Sequence, residues 1–354
     1  MRRGTAADVR RALLDVRART LALADDYQAA LGPGLSIPYA EGLNPPRWEW
    51  GHVAWFQEWW IARNRQRALG VRCDPEHARP PSLLPDADAL YDSSRIAHRT
   101  RWSLPLPDAE GTRDYLAGTL ERTLALLADL PPGAGDDALY FYRLVALHEA
   151  MHAEAATYMA RTLGIAVRAP APAPITATGE LVLPAQRFRL GSGNEGFAFD
   201  NELQAQEVDI AGCRIDAAPV TWSRYVPFLQ ASGRPVPPHA PHEAVVHVSA
   251  EEAEAWCRWA GRRLPTEAEW ECAALTLPGF QWGQVWEWTA SPFAPYPGFT
   301  PHPYRDYSAP WFGTRRVLRG ACAATSPWLV DARYRNFFEP QRSDVFSGFR
   351  SCAN

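Results

Sequence analysis

Val167 to Ile175 reads V-R-A-P-A-P-A-P-I. Alternating proline and alanine cannot continue a helix and offers little side chain for a core, so this run is extended and divides the chain. Ahead of it the texture is helical. Behind it, short β-like runs alternate with Gly, Pro and Asn turns. The expected fold class is therefore α+β in two domains: a helical bundle over residues 1–166, a linker over 167–175, and a mixed, irregular domain over 176–354. At 354 residues, 47% hydrophobic and 21% charged, both parts can bury a core.

In the first part, Thr5 to Leu31 carries Val9, Leu13, Val16 and Leu21 near helical spacing, and Gly32-Pro33-Gly34 stops it. Further helices are expected over residues 47–69, over 109–130 before Pro131-Pro132-Gly133, and over 136–163 before Gly164. Four such helices predict a bundle, a fold that holds metals through inward side chains on facing helices. In the second part, strands are expected at Glu180–Leu183, Phe188–Leu190 and Glu207–Ile210, with helices near Thr221–Ser232 and Ala250–Gly261. No βαβ rhythm or internal repeat is present.

Net charge is −4 and no basic run occurs, which argues against a nucleic-acid partner. No apolar run reaches membrane-spanning length, and Met1-Arg2-Arg3-Gly4-Thr5 leads straight into a charged amphipathic helix, so a cytoplasmic location is expected. The six cysteines (73, 213, 257, 272, 322 and 352) contain no C-x-x-C and read as reduced thiols. Fifteen Trp suit aromatic packing among irregular loops. The sequence leaves the oligomeric state open.

His148-Glu149-Ala150-Met151-His152 lies in the fourth helix. Residues at i and i+4 share a helix face about 6 Å apart, so both imidazoles can reach one metal ion. H-E-x-x-H is the signature of a zinc peptidase with Glu149 as base. H-x-x-x-H with a third, distant His is instead how a bundle can hold a non-haem iron.

Several C-terminal strings resemble the formylglycine-generating-enzyme (sulfatase-modifying factor) fold, a relative of C-type lectins. They are Gly261-Arg262-Arg263-Leu264-Pro265-Thr266-Glu267-Ala268-Glu269-Trp270-Glu271, Val285-Trp286-Glu287-Trp288-Thr289, Val317-Leu318-Arg319-Gly320 and Phe346-Ser347-Gly348-Phe349-Arg350. Their Trp, Arg and Glu residues are expected to be scaffold. The N-terminal part resembles the DinB-like four-helix bundle. A DinB-like bundle followed by such a domain is similar to the non-haem iron sulfoxide synthases of ergothioneine biosynthesis. That resemblance implies Fe(2+) as cofactor, and hercynine, a thiol or selenosugar, and O2 as small-molecule substrates. It also implies His52, His148 and His152 as ligands, His52 lying in Asn44-Pro45-Pro46-Arg47-Trp48-Glu49-Trp50-Gly51-His52.

The resemblance implies a catalytic tyrosine in Pro303-Tyr304-Arg305-Asp306-Tyr307, with Tyr304 ahead of Tyr307. It implies hercynine binding by Asn336 and Phe337, with Phe338 beside them, because an aromatic face attracts a trimethylammonium group. Two departures bear on the second substrate. Phe338 stands where some relatives carry the acidic residue that holds γ-glutamylcysteine, and their Arg-rich segment is replaced by a run containing Arg99 and Arg101, which could still grip an anion. N-P-P-x-W-E-x-G-H together with D-S-S-R-I-A-H-R-T-R-W resembles the selenoneine synthase branch, in which a selenosugar joins hercynine. The alternative is ergothioneine-type use of cysteine or γ-glutamylcysteine. A zinc peptidase and a lectin-like binding module are remote alternatives.

Overall fold

The computed structural model describes residues 1–353. Helices α1 (Ala6–Leu31), α2 (Pro46–Trp60), the short α3 (Ala87–Tyr91), α4 (Ala109–Ala128) and α5 (Asp136–Thr162) fill its first part. The four long helices pack α1 on α5, α2 on α4, α2 on α5 and α1 on α4, the closed pattern of a bundle. Local chemistry sets the ends of α1: Thr5 and Asp8 form a capping box, and Gly32 closes the helix with φ 75°.

Helix α2 is shorter than its apolar pattern predicts. It ends at Trp60, and a 3-10 turn follows at Arg67–Arg72. The reason lies in the side chains between. Asn64 is fully buried and its Oδ1 accepts from Gln66 N at 2.9 Å, while Arg63 turns out to fork onto Asp88. Such side-chain bonds offer the backbone an alternative to the helix.

The second part holds strands β1 (Glu180–Leu183), β2 (Gln186–Leu190), β3 (Gln206–Ile210), β4 (Cys213–Asp216), β5 (Arg262–Arg263), β6 (Trp286–Pro292), β7 (Arg316–Gly320), β8 (Asn336–Phe338), β9 (Ser347–Phe349) and β10 (Cys352–Ala353). They form sheets ordered β1-β4-β10-β5, β2-β3 and β8-β7-β6-β9. In the last, β6 pairs antiparallel with β7 and parallel with β9. Helices α6 (Trp222–Ala231) and α7 (Ala250–Trp259) fall where expected, and a third, α8 (Glu267–Thr276), was not anticipated. Its sequence signal is the capping box of Thr266 and Glu269.

Several residues of the C-terminal strings are scaffold, as expected. Glu287 and Arg350 are both fully buried and paired, and Trp270 Nε1 donates to Glu287 at 2.9 Å. Glu267 accepts from Arg335 at 2.8 and 2.9 Å and from Arg319 at 3.0 Å. Removing one partner of such a pair leaves a buried charge uncompensated, at about 3–5 kcal/mol.

Side chains also lock the two parts together. Arg2 reaches across to the buried Glu202, and Phe197 N donates to Arg2 O at 2.8 Å. Trp286 Nε1 donates to Glu154 of α5 at 2.5 Å, and Tyr140 Oη lies 2.9 Å from His302 Nδ1. Among the described residues no helix is long and apolar enough to cross a membrane.

Candidate metal centre

Helices α2 and α5 bring His52, His148 and His152 together, with one ring nitrogen of each inside a group no more than 4.8 Å across. His148 and His152 meet because four residues separate them on one helix face, their Nε2 atoms 3.2 Å apart. His52 comes from the facing helix, its ring 5.2 and 5.0 Å from theirs.

Each orientation has a local cause. His52 Nδ1 lies 2.8 Å from the Tyr91 carbonyl, which can only accept. The proton therefore sits on Nδ1, and Nε2 is left as the ligand atom. Trp48 stacks on the same ring at 5.0 Å and 7°. Gly51 makes this approach possible: a Cβ there would fall 2.2 Å from the Tyr91 ring. His152 Nδ1 lies 3.1 Å from Glu49 Oε2, which fixes the second imidazole the same way. Phe56 covers His148 face to face at 3.6 Å.

Burial, with His152 adding to it, pushes His52 down to about 3. Burial, His152 and His52 together hold His148 well below the usual histidine range. Both are neutral imidazoles, the form that coordinates metal. Burial alone would raise Glu49, but His152 and His52 hold it below the ordinary carboxylate value. Three converging imidazoles, two of them with the outer nitrogen engaged, fit a divalent transition metal, iron among them.

Glu149 takes no part in this centre. Its carboxylate accepts from Arg17 Nε at 2.7 Å and Nη2 at 3.1 Å, buried against α1. The base that a peptidase reading of H-E-x-x-H requires is thereby engaged elsewhere. Glu154, two residues beyond His152 on α5, accepts from Trp286, and burial raises its carboxyl above the ordinary value. Glu49 has the supporting role that sequence reasoning missed. Its signal was the i, i+3 spacing to His52, which places both on one face of α2.

His148 and His152 open on a cavity of about 310 Å³ whose walls include Tyr158, Trp286, Tyr334, Phe337 and Phe338. Asn336, Tyr304 and Tyr307 also line it. Tyr304 stands edge-on to His148, ring centres 6.1 Å apart. Burial, then Asp306, Asp92 and Asp200, raise its phenol above the usual tyrosine range. Tyr307 is tied into an aromatic cluster, its Oη 3.1 Å from that of Tyr334 and its ring stacked on Phe199 at 4.4 Å. Asn336 Oδ1 accepts from Phe337 N at 2.9 Å, and Phe293 stacks on one face of Phe337 at 4.0 Å.

Arg99 and Arg101 do not line this cavity. Arg99 lies over Tyr39 at 5.1 Å. Arg101 lies over Trp48 at 3.8 Å and donates to Asn44 Oδ1 at 2.8 Å, and Asn44 reaches the cavity wall.

The sulfatase-modifying factor enzyme 1-like domain family matches residues 166–282 and 281–354. The hercynine oxygenase of Mycolicibacterium smegmatis is 30% identical over an alignment covering 94% of this chain and 96% of that one. The hercynine oxygenase of Mycobacterium tuberculosis is also 30% identical, covering 96% of each chain. The formylglycine-generating enzyme of Streptomyces coelicolor is 27% identical over 52% of this chain and 92% of its own length.

Proposed function

The chain belongs to the hercynine oxygenase family, and from that premise we propose that it is an iron- and O2-dependent enzyme joining a thiol to the C2 carbon of hercynine as a sulfoxide. The observation that carries this reading is the three-histidine group, two members of which line an aromatic cavity that contains Asn336. Iron(II), when bound there, supplies a redox centre with positions left for substrates and dioxygen.

The protein's own groups do the rest. Aromatic faces at Trp286, Tyr334, Phe337 and Phe338 receive the trimethylammonium group, each attraction worth about 0.5–2 kcal/mol. With its carbonyl oxygen engaged by Phe337 N, Asn336 keeps its amide N–H donors for the hercynine carboxylate. Burial keeps the Tyr304 phenol protonated across neutral pH, so it acts as a proton donor beside the triad. Holding both reactants in one small cavity supplies the proximity that solution lacks.

A second reading, with a selenosugar as donor and selenoneine as product, is favoured by one observation. Among the described residues no guanidinium lines the cavity, and Arg342, which lies over Phe338 at 4.8 Å, is engaged with Asp344. A thiol carrying carboxylates would desolvate them with no cation opposite. A selenosugar, which carries no carboxylate, would not.

The test is iron-loaded, anaerobic protein with hercynine, offered cysteine, γ-glutamylcysteine and a selenosugar in parallel before O2 is admitted, with products read by mass. A sulfoxide from either thiol supports the first reading. Selenoneine from the selenosugar alone supports the second. Unchanged hercynine in all three would refute both.

A further inference from the structure

Tyr304 and Phe56 have a second side. Both line another chamber, of about 480 Å³, which the triad itself does not line. The two rings therefore form a partition: Phe56 rests on His148 at 3.6 Å, and Tyr304 borders both cavities. The chamber's lining also contains Arg79, whose guanidinium lies over Trp59 at 5.0 Å and over Trp60 at 5.4 Å.

All three nitrogens of Arg79 are buried without a hydrogen-bond partner among the described residues. The nearby Cys73 sulfur is only a weak acceptor, and indole faces do not satisfy a planar fork of N–H donors. Neighbouring cations differ. Arg63 is forked onto Asp88 at 2.6 and 2.8 Å, and Arg95 lies 3.2 Å from Asp92. Two aromatic rings thus hold a desolvated guanidinium in a fixed pose, with Asp74 acting on it only through space and no oxygen acceptor on its nitrogens among the described residues. A buried cation left without a partner is strongly unfavourable, and this one sits at the wall of a space large enough for a metabolite.

We propose that this chamber binds a small molecule bearing a carboxylate or phosphate group, with Arg79 as receptor of the oxyanion and Phe56 and Tyr304 in contact with the molecule's body. A guanidinium matches either oxyanion by paired N–H donors. An occupant would press on the rear of the partition and so bear on Tyr304 and on the ring that covers His148. The inference requires neither iron nor hercynine, so it stands or falls apart from the function proposed above.

The experiment uses full-length, metal-free protein at fixed ionic strength, since unspecific anion effects are screened by salt. Tryptophan fluorescence is followed while inorganic phosphate and, separately, succinate are added. A saturable change is expected with at least one of them. It should weaken at least tenfold in Arg79→Gln and recover in part in Arg79→Lys. Saturation by phosphate alone assigns a phosphate-bearing ligand; saturation by succinate alone assigns a carboxylate. No saturable change with either anion overturns the proposal, as does equal binding by Arg79→Gln, which marks an adventitious ion only. If the Gln variant does not fold, hydrogen exchange on the wild type decides: the anion must protect residues 75–95, and absence of protection overturns the site.

Discussion

The two walls of the metal cavity are built on different principles. On the helical side, positions are set within a few residues. His148 and His152 share a face of α5, and His52 and Glu49 share a face of α2. On the sheet side, positions are set by distant pairing. Asn336–Phe338 is the edge strand of β8-β7-β6-β9, and Trp286 sits two strands away on β6. A helix carries its own register, whereas a strand takes its register from partners far along the chain. The helical wall should therefore fail one residue at a time, and the sheet wall should fail as a unit.

Among variants that keep the metal, the largest effect expected in chemistry is at the junction of the two walls. Tyr304→Phe should lower turnover about 10²–10⁴-fold, the range for a lost proton donor. Bound iron should be unchanged, and a variant that loses metal as well as rate would show that the tyrosine shapes the centre. Next comes the sheet wall's foundation. Glu287→Ala strands Arg350 in the core, so chemical denaturation should show a loss of about 3–5 kcal/mol. Retention of wild-type stability would mean that the buried pair does not hold the sheet.

Smaller and more local effects should come from the helical wall. Glu49→Gln removes the charge behind His152 and should weaken metal binding about 10–100-fold, read by competition with a chelator. Glu149→Gln is its control. It perturbs Arg17 but should leave metal affinity at the wild-type value. Equal weakening by the two would erase the distinction between them. Gly51→Ala forces a methyl group into the Tyr91 ring, for about 1–3 kcal/mol of overpacking, and should also weaken metal binding through the displaced Tyr91 carbonyl.

The same contrast explains what could be read from the sequence. The triad was legible because i, i+4 spacing and a matched string around His52 are local signals. The ends of α1 and α5 were legible for the same reason. The truncation of α2 was hidden, because it depends on Arg63 finding Asp88 across a turn. Helix α8 has the capping box of Thr266 and Glu269 as its local signal. The bond from Trp286 to Glu154 spans 132 positions and has no local trace. Nor does the isolation of Arg79, which is defined by the partners it lacks once Trp59 and Trp60 have closed on it.

The central claim is that His52, His148 and His152 hold one iron(II) ion. Its most direct test is an anaerobic equilibrium titration of the wild type and of His148→Ala with iron(II), read as bound metal per chain. One ion per wild-type chain and none in the variant is the expected result. Saturation of His148→Ala at the wild-type level, or no stoichiometric binding by the wild type, would contradict it.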